Sequence, residues 1–303
     1  MRLINTETLQ LQEFYGTIPI YAILSHTWGD EEPSLEDFRD PAGSSAGHKK
    51  IHAACRQACA DGLEYLWVDT CCIMKSSSAE LSEAINSMFR WYKEAKVCYV
   101  YLVDFECQQG PPIDPFGPES DISKCRWFTR GWTLQELIAP RDVRFYDKAW
   151  RFIGRKSDSM IKISNITGID PVVLADSSRD NLDNCPVARR MSWAARRQTT
   201  RPEDMAYCLM GLFDVNMPML YGEGEKAFLR LQEEVIKRSN DLSMFAWKDS
   251  AEDHEPTGHI NPQLHSPVHP IQQRLELHRN PTSHLRRAAG TNGAMLCVVS
   301  RLR

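Results

Sequence analysis

The chain of 303 residues is 42% hydrophobic and 25% charged, with a net charge of −4, which is typical of a globular protein with one or two domains. The acidic balance argues against nucleic acid as a partner, and no apolar run approaches the ~20 residues that span a membrane. The N-terminus has no apolar signal segment, so the ten cysteines predict reduced thiols in the cytoplasm. They include no Cys-x-x-Cys pair, and we therefore expect no metal site.

The first hundred residues alternate predicted strands and helices. Short apolar runs at residues 18–24, 63–68 and 97–103 are typical of buried strands. Apolar residues spaced three and four apart predict helices at residues 47–62 and 79–95. Strands that alternate with helices predict a parallel sheet covered on both faces. The expected fold class is therefore α/β, with the three strands adjacent in a parallel-sheet core.

The segment of residues 125–140 combines aromatic rings with charged side chains. From Gly131 the pattern is helical, so Trp132 and Glu136, four residues apart, share one face. Residues 142–146 then predict another strand. A single acid beside Trp and Arg is either part of a buried ion pair or a catalytic carboxylate. The residues alone favour the ion pair, since pairing is the usual way in which charges become buried.

Beyond residue 150 the pattern becomes mainly helical. Four predicted helices follow, at residues 152–167, 186–199, 205–213 and 225–239. The second helix carries arginines that predict a solvated or ion-paired face: Arg189, Arg190, Arg196 and Arg197. Residues 251–303 are rich in His, Pro, Asn and Arg without periodicity, which predicts a disordered tail. We therefore expect a domain at residues 1–150, an appended helical unit at residues 151–250, and the tail.

Polar residues follow the predicted strands. In parallel sheets the functional site lies beyond the carboxyl ends of the strands, which places residues 25–30, Asp69 and the 125–140 segment at one edge. Asp69 with Ser25 and Thr27 supplies the oxygen atoms that hold sugar hydroxyls. The alternative for Asp69 is a structural cap of a helix or loop. The sequence leaves these two roles open.

A nucleophile is a further alternative at this edge. His26 with Cys71 or Cys72 would form a pair in which the imidazole activates the thiol, if the two loops meet. No residue in the sequence can be named to orient the histidine, as catalytic triads require. The pair is therefore the less favoured interpretation.

Four blocks of the sequence carry a more specific pattern: residues 21–29 (YAILSHTWG), 66–73 (LWVDTCCI), 80–92 and 126–140 (RWFTRGWTLQELIAP). In this order they resemble the fungal HET (heterokaryon incompatibility) domain. Residues 217–228 resemble the segment that commonly follows this domain in larger fungal relatives. One departure is Met74, where the family often carries an acid. The resemblance implies a role in heterokaryon incompatibility, fungal innate immunity and programmed cell death.

The HET domain is itself thought to be distantly similar to TIR domains, so the resemblance implies a TIR-like (flavodoxin-like) core. TIR enzymes that cleave NAD carry a Trp four residues before the catalytic Glu, which is the spacing of Trp132 and Glu136. The resemblance thus implies that Glu136 stabilises the oxocarbenium-like state in which nicotinamide leaves ribose. Trp28 or Trp132 would stack on a planar base, and Arg130 would contact phosphates.

The predicted site therefore has one catalytic residue, Glu136, with NAD or a related nucleotide as substrate and no cofactor. Its predicted substrate-binding residues are Ser25, His26, Thr27, Trp28, Asp69, Arg130 and Trp132. A second interpretation is a non-catalytic module that self-assembles to relay an incompatibility signal, with Glu136 in a structural ion pair. The expected partners are a second copy of the chain, or a fungal signalling protein or NLR-type receptor.

Overall fold

Seven strands form one mixed sheet in the computed structural model, which describes residues 1–40, 43–107, 114–117, 120–241 and 243. The strands are β1 (Arg2–Asn5), β2 (Leu11–Glu13), β3 (Tyr21–His26), β4 (Tyr65–Trp67), β5 (Val97–Tyr101), β6 (Val143–Tyr146) and β7 (Phe152–Arg155). Their order across the sheet is β2-β1-β4-β3-β5-β6-β7. The four central strands run parallel, and β1, β2 and β7 pair antiparallel at the edges.

The parallel centre confirms the predicted α/β fold class. The three predicted strands are adjacent, with Ile23 of β3 between Trp67 of β4 and Cys98 of β5. In chain order the central strands read 2-1-3-4, which is the flavodoxin-like arrangement. β3 runs further than predicted, so Ser25 and His26 belong to the strand and not to the loop after it.

Twelve α-helices are present in the described ranges. They are α1 (Leu35–Phe38), α2 (Ala46–Ala60), α3 (Ser78–Glu94), α4 (Arg126–Thr129), α5 (Thr133–Ile138), α6 (Met160–Thr167), α7 (Pro171–Ala175), α8 (Arg179–Asp183), α9 (Val187–Ser192), α10 (Asp204–Tyr207), α11 (Met210–Phe213) and α12 (Lys226–Arg238). A short 3-10 helix, Asp121–Lys124, precedes α4. In the chain, α2 connects β3 to β4, α3 connects β4 to β5, and α4 with α5 lies between β5 and β6.

Helix α3 shows how the predicted amphipathic pattern is used. At its start the Ser77 side chain accepts a hydrogen bond from the backbone N–H of Glu80, which satisfies a donor that the helix leaves free. Its buried residues follow the predicted spacing: Ala84, Ile85, Met88, Phe89 and Tyr92. The Glu80 carboxylate also forms an ion pair with Arg2 at 2.8 Å. The helix is therefore tied to β1 as well as packed on the core.

The predicted helix at residues 152–167 is wrong in its first part. Residues Phe152–Arg155 form β7, and helix α6 begins only at Met160. The Phe152 ring packs edge-on against Tyr146 of β6, with 5.8 Å between ring centroids. Without β7 the outer edge of β6 would carry unpaired backbone donors and acceptors. Pairing the backbone groups of that edge outweighs the helical spacing of residues 152–155. The β1–β2 hairpin covers the edge of β4 in the same way, and the sequence patterns did not predict it.

Helices after β7 pack against the helices that connect the strands, with α11 against α3 and α7 against α5. The division of the chain at residue 150 stays a prediction. The predicted tail at residues 251–303 lies outside the described residues. In the part of the chain that the structure describes, no helix combines the length and the apolar character needed to cross a membrane.

The contact between α11 and α3 depends on Gly211. A Cβ added there would overlap the Phe89 side chain, and a close-packed core has no space to relieve the overlap. We expect Gly211→Ala to lower the free energy of unfolding by about 1–3 kcal/mol. The control is Gly29→Ala, where the nearest atom lies 3.7 Å from the added Cβ. Equal urea midpoints for the two variants would contradict this packing.

Candidate active site

Glu136 lies on α5 with its carboxyl group against the carboxyl-terminal end of β3. The residue is 5% exposed. The Ser25 hydroxyl donates a hydrogen bond of 2.5 Å to Glu136 Oε2, and the indole N–H of Trp127 donates one of 2.7 Å to Ser25 Oγ. The Tyr92 hydroxyl of α3 lies beside this group and donates a hydrogen bond of 3.2 Å to the backbone carbonyl of Leu24. Side chains from β3, α3 and α4 thus converge on one buried acid.

The environment of Glu136 favours the neutral carboxylic acid. Burial raises its pKa from the ordinary value of 4.5 to about 8, and the negative charge of Asp69 adds to the rise. The hydrogen bond from Ser25, the nearby hydroxyl of Tyr92 and the positive charge of Arg197 oppose this rise without cancelling it. At neutral pH the group is therefore mostly protonated, and it needs no counter-ion in the interior.

An ion pair to Glu136 is not observed among the described residues. Arg197, which is 6% exposed, instead donates from Nη1 to the carbonyl of Arg130 and to Thr133 Oγ1, both at 2.9 Å. It therefore holds the first residues of α5. The prediction of a solvated or ion-paired arginine face holds for Arg189, which forms an ion pair of 3.0 Å with Asp170. Arg197 departs from it, because it is buried with no carboxylate partner in the described ranges.

A second group of polar side chains lies at the carboxyl ends of β3 and β4. His26 Nε2 is 3.5 Å from Glu32 Oε2 and 3.9 Å from Asp69 Oδ1. Lys50 of α2 forms an ion pair with the other carboxylate oxygen of Glu32. We call His26, Glu32, Lys50 and Asp69 the rim cluster. Its side chains are largely covered, and Asp69, at 21% exposed, is the member that reaches solvent.

Two glutamates of this region have opposite protonation states at neutral pH. Burial alone would raise the pKa of Glu32, but the adjacent His26 and the charge of Lys50 lower it to about 2. Glu32 is therefore ionised under conditions in which Glu136 is mostly neutral. Pairs of acids whose environments drive their pKa values apart are typical of sites that perform acid–base or electrostatic chemistry.

Trp28 covers the outer side of Asp69. Its indole N–H donates a hydrogen bond of 2.8 Å to Asp69 Oδ2, and the Nζ atom of Lys75 lies 3.7 Å from the centre of its ring. Trp28 is nevertheless 48% exposed, whereas the preceding Thr27 is buried. In the described structure the Asp69 carboxylate accepts this indole N–H and no backbone N–H, so it does not cap the loop.

Arg130 and Trp132 contact a different part of the chain. Arg130 donates to Thr200 Oγ1 at 3.0 Å, and the Trp132 side chain hydrogen-bonds to Asp204. The turn at Gly131 is pressed against the same segment, with no space for a Cβ. The structure thus gathers Glu136 and five of the predicted binding residues at the carboxyl edge: Ser25, His26, Thr27, Trp28 and Asp69. It turns the other two towards residues 198–208.

The nucleophile alternative is not supported. Burial raises the pKa of Cys71 well above its ordinary value, so the reactive thiolate is disfavoured. The Cys72 sulfur accepts a hydrogen bond from the backbone N–H of Val68 at 3.4 Å. His26 faces carboxylates and not these thiols.

Glu32, Lys50 and Trp127 are site residues that the sequence patterns did not indicate. Glu32 is the last of three successive acids in a loop, and nothing in the sequence distinguishes it from the others. Lys50 did carry a signal, because it stands four residues before Ala54 on the apolar face of α2. A lysine on a buried helix face requires an acidic partner.

Protonation of Glu136 makes stability depend on pH in a direction opposite to the usual one for acids. The unfolded chain loses this proton near pH 4.5, whereas the folded chain keeps it until about pH 8, so the free energy of unfolding falls as pH rises between these values. Glu136→Gln is neutral at every pH and lacks this loss. We expect the variant to gain a few kcal/mol relative to wild type between about pH 5 and about pH 8, at about 1.4 kcal/mol per pKa unit.

Urea unfolding at the two pH values measures this difference. The control is Glu94→Gln on α3, an exposed glutamate whose substitution should leave the pH dependence of wild type unchanged. A constant difference between Glu136→Gln and wild type at both pH values would contradict a protonated Glu136.

Comparison with known proteins agrees with the sequence blocks. Residues 21–118 match the family described as "Heterokaryon incompatibility protein (HET)", and residues 226–289 match a domain of unknown function. The chain is 50% identical over 226 residues to "Vegetative incompatibility protein HET-E-1" of Podospora anserina. That alignment covers 73% of this chain and 16% of the relative, so the chain spans a small part of that protein's length. No solved structure matches. The chain belongs to the fungal heterokaryon incompatibility (HET) domain family.

Proposed function

We propose that this chain is an effector of heterokaryon (vegetative) incompatibility whose HET domain cleaves the nicotinamide–ribose bond of NAD or a related nucleotide. Glu136 is the catalytic residue of this proposal, and it acts as a carboxylate. The observation that carries it is the Ser25–Glu136 hydrogen bond, which holds an acid with a raised pKa at the carboxyl end of β3. Acids with perturbed pKa values are concentrated at functional sites.

The position of the acid in the sheet supports this choice. In the order β4-β3-β5-β6 the chain reverses its direction of travel across the sheet beside β3. Ligands of open α/β sheets bind at such a reversal, beyond the carboxyl ends of the strands. Ser25 and His26 end β3 there, and Asp69 follows β4.

The proposed reaction breaks the bond between ribose C1′ and the nicotinamide nitrogen. The electron pair of that bond leaves with nicotinamide, which departs as a neutral molecule, and water adds to C1′ and releases a proton. The products are ADP-ribose, nicotinamide and H⁺. Positive charge develops on the ribose ring in the transition state, and an ionised Glu136 would stabilise it. The cationic nicotinamide ring of bound NAD would favour ionisation of this carboxyl group.

Access to Glu136 requires a change in the side chains that surround it, because the acid is 5% exposed. We propose that self-assembly, or contact with a fungal signalling protein or NLR-type receptor in the cytoplasm, provides this change. Binding energy from such a partner can shift a conformational equilibrium only by its preference for the open form. Activity would then depend on protein concentration or on the partner.

The second candidate is a non-catalytic module that self-assembles and relays the incompatibility signal. The burial of Glu136 favours it, since a buried carboxyl group held by Ser25 can serve the fold alone. In that case Glu136 substitutions would alter stability and leave signalling intact in any variant that folds.

Nicotinamide release from NAD separates the two candidates. We expect Glu136→Gln to keep the fold, because the amide oxygen can still accept from Ser25, and to lose at least ~100-fold in cleavage, corresponding to ~3 kcal/mol of transition-state stabilisation. Toxicity on expression should be lost in parallel, while the exposed Glu94→Gln should retain both. A folded Glu136→Gln protein with full toxicity would remove the catalytic assignment.

The pH dependence of cleavage tests the protonation state that catalysis needs. If the carboxylate is the active form, kcat/KM should rise about tenfold per pH unit below the pKa of about 8 and level off above it. Initial rates at low NAD concentration, with protein concentration held constant, give this profile. A rate that falls above about pH 8 would instead assign the protonated acid as the active form.

A further inference from the structure

Three polar atoms of the rim cluster lie close together but form no good hydrogen bonds with one another. In the described structure His26 Nε2, Glu32 Oε2 and Asp69 Oδ1 are buried atoms with no hydrogen-bond partner. The histidine nitrogen lies 3.5 Å and 3.9 Å from the two oxygens, which is too long for good hydrogen bonds. Buried polar groups left in this state cost free energy.

The chemistry of the three atoms selects the group that they would bind. Ionised carboxylates only accept hydrogen bonds, whereas imidazole can donate or accept. Two acceptors close to one imidazole nitrogen suit a pair of hydroxyl groups, which donate to the carboxylates. A phosphate at this point would meet the charges of Glu32 and Asp69 and be repelled. A vicinal diol, as in ribose, fits this arrangement.

Lys50 is the positioning residue of this arrangement. Its ammonium group forms an ion pair with Glu32 Oε1, and the backbone N–H of Gly29 donates to the same oxygen at 2.8 Å. The other oxygen, Oε2, is thereby left free and directed towards His26. Lys50 is 8% exposed, so its ammonium group interacts with Glu32 and has little contact with solvent.

The surroundings extend the site beyond the sugar. Trp28 offers a half-exposed indole on the outer side of Asp69, and a base can stack on such a surface. Lys75, close to that ring, offers a positive charge to phosphates. We propose that Glu32, His26 and Asp69 bind the ribose hydroxyls of a nucleoside phosphate, with Trp28 beside the base. This inference rests on the proposed function in taking that ligand to be NAD or a relative.

Direct binding of ADP-ribose tests the sugar site without requiring catalysis. Wild-type protein is titrated calorimetrically with ADP-ribose and, separately, with inorganic pyrophosphate, which has phosphates but no sugar. We expect Glu32→Gln and Asp69→Asn each to weaken ADP-ribose binding by about tenfold or more, as loss of a charged hydrogen bond does. Pyrophosphate binding should stay within about twofold of wild type.

Two variants are needed because Glu32→Gln also removes the partner charge of Lys50 and its thermal unfolding must be checked. Asp69 makes no such pair with Lys50, so Asp69→Asn provides the second measurement. The control is Asp142→Asn, an acid just before β6 and thus at the opposite end of the parallel strands. It should bind ADP-ribose as wild type does.

The results separate this inference from the proposed function. If wild type and both folded variants bind ADP-ribose with equal affinity, the sugar site is overturned. A cluster that holds only water would give this result. Absence of ADP-ribose binding by wild type overturns it too. If NAD is cleaved with an unchanged KM in both variants, the sugar site fails and the hydrolase remains. If the variants lose ADP-ribose binding while wild type releases no nicotinamide, the sugar site is supported and the hydrolase fails.

Discussion

The hydrogen bond between Ser25 and Glu136 joins the centre of the sheet to helix α5, and the arrangement of the candidate site depends on it. Ser25 lies in a fully buried strand, where an unpaired hydroxyl would be costly. Trp127 and Glu136 satisfy it on two sides. The carboxyl group can share this interior because it is mostly neutral there. The protonated form of Glu136 thus stabilises the fold, whereas the proposed cleavage uses the ionised form. Folding stability and catalysis therefore require different protonation states of this residue.

The region beyond β6 fixes helix α5 from both ends. Arg197 donates to the carbonyl of Arg130 and to Thr133 at its start. At its other end Lys156, which is 3% exposed, donates to the carbonyls of Leu137 and Pro140 at 3.1 and 2.6 Å. These carbonyls lie where a helix leaves its acceptors unsatisfied. The residues predicted to form an appended unit therefore contribute directly to the position of Glu136, which itself lies beyond the matched residues 21–118.

Much of the fold was predictable because the parallel strands β4 and β5 consist of apolar and aromatic residues and α3 repeats its buried residues at helical spacing. The position of Glu136 near Ser25 followed from the rule that carboxyl ends of parallel strands meet. The edge strand Phe152–Arg155 was not predictable from spacing, since its stability comes from pairing with a distant strand. Glu32 was missed for the same reason: its partners, His26 and Lys50, are close to it only in the folded chain. Trp132 shared a predicted helix face with Glu136, but it precedes α5 and contacts residue 204.

Isotope-edited infrared spectroscopy of the glutamate carboxyl groups tests the protonation of Glu136 most directly. The difference between wild type and Glu136→Gln isolates the band of this one group. We predict a protonated-carboxyl band at neutral pH that disappears as pH rises through about 8, with the ionised form dominant above that value. Loss of the protonated band already near the ordinary value of 4.5 would show that Glu136 is ionised in the folded protein. That result would contradict both the buried neutral acid and the stability and activity profiles derived from it.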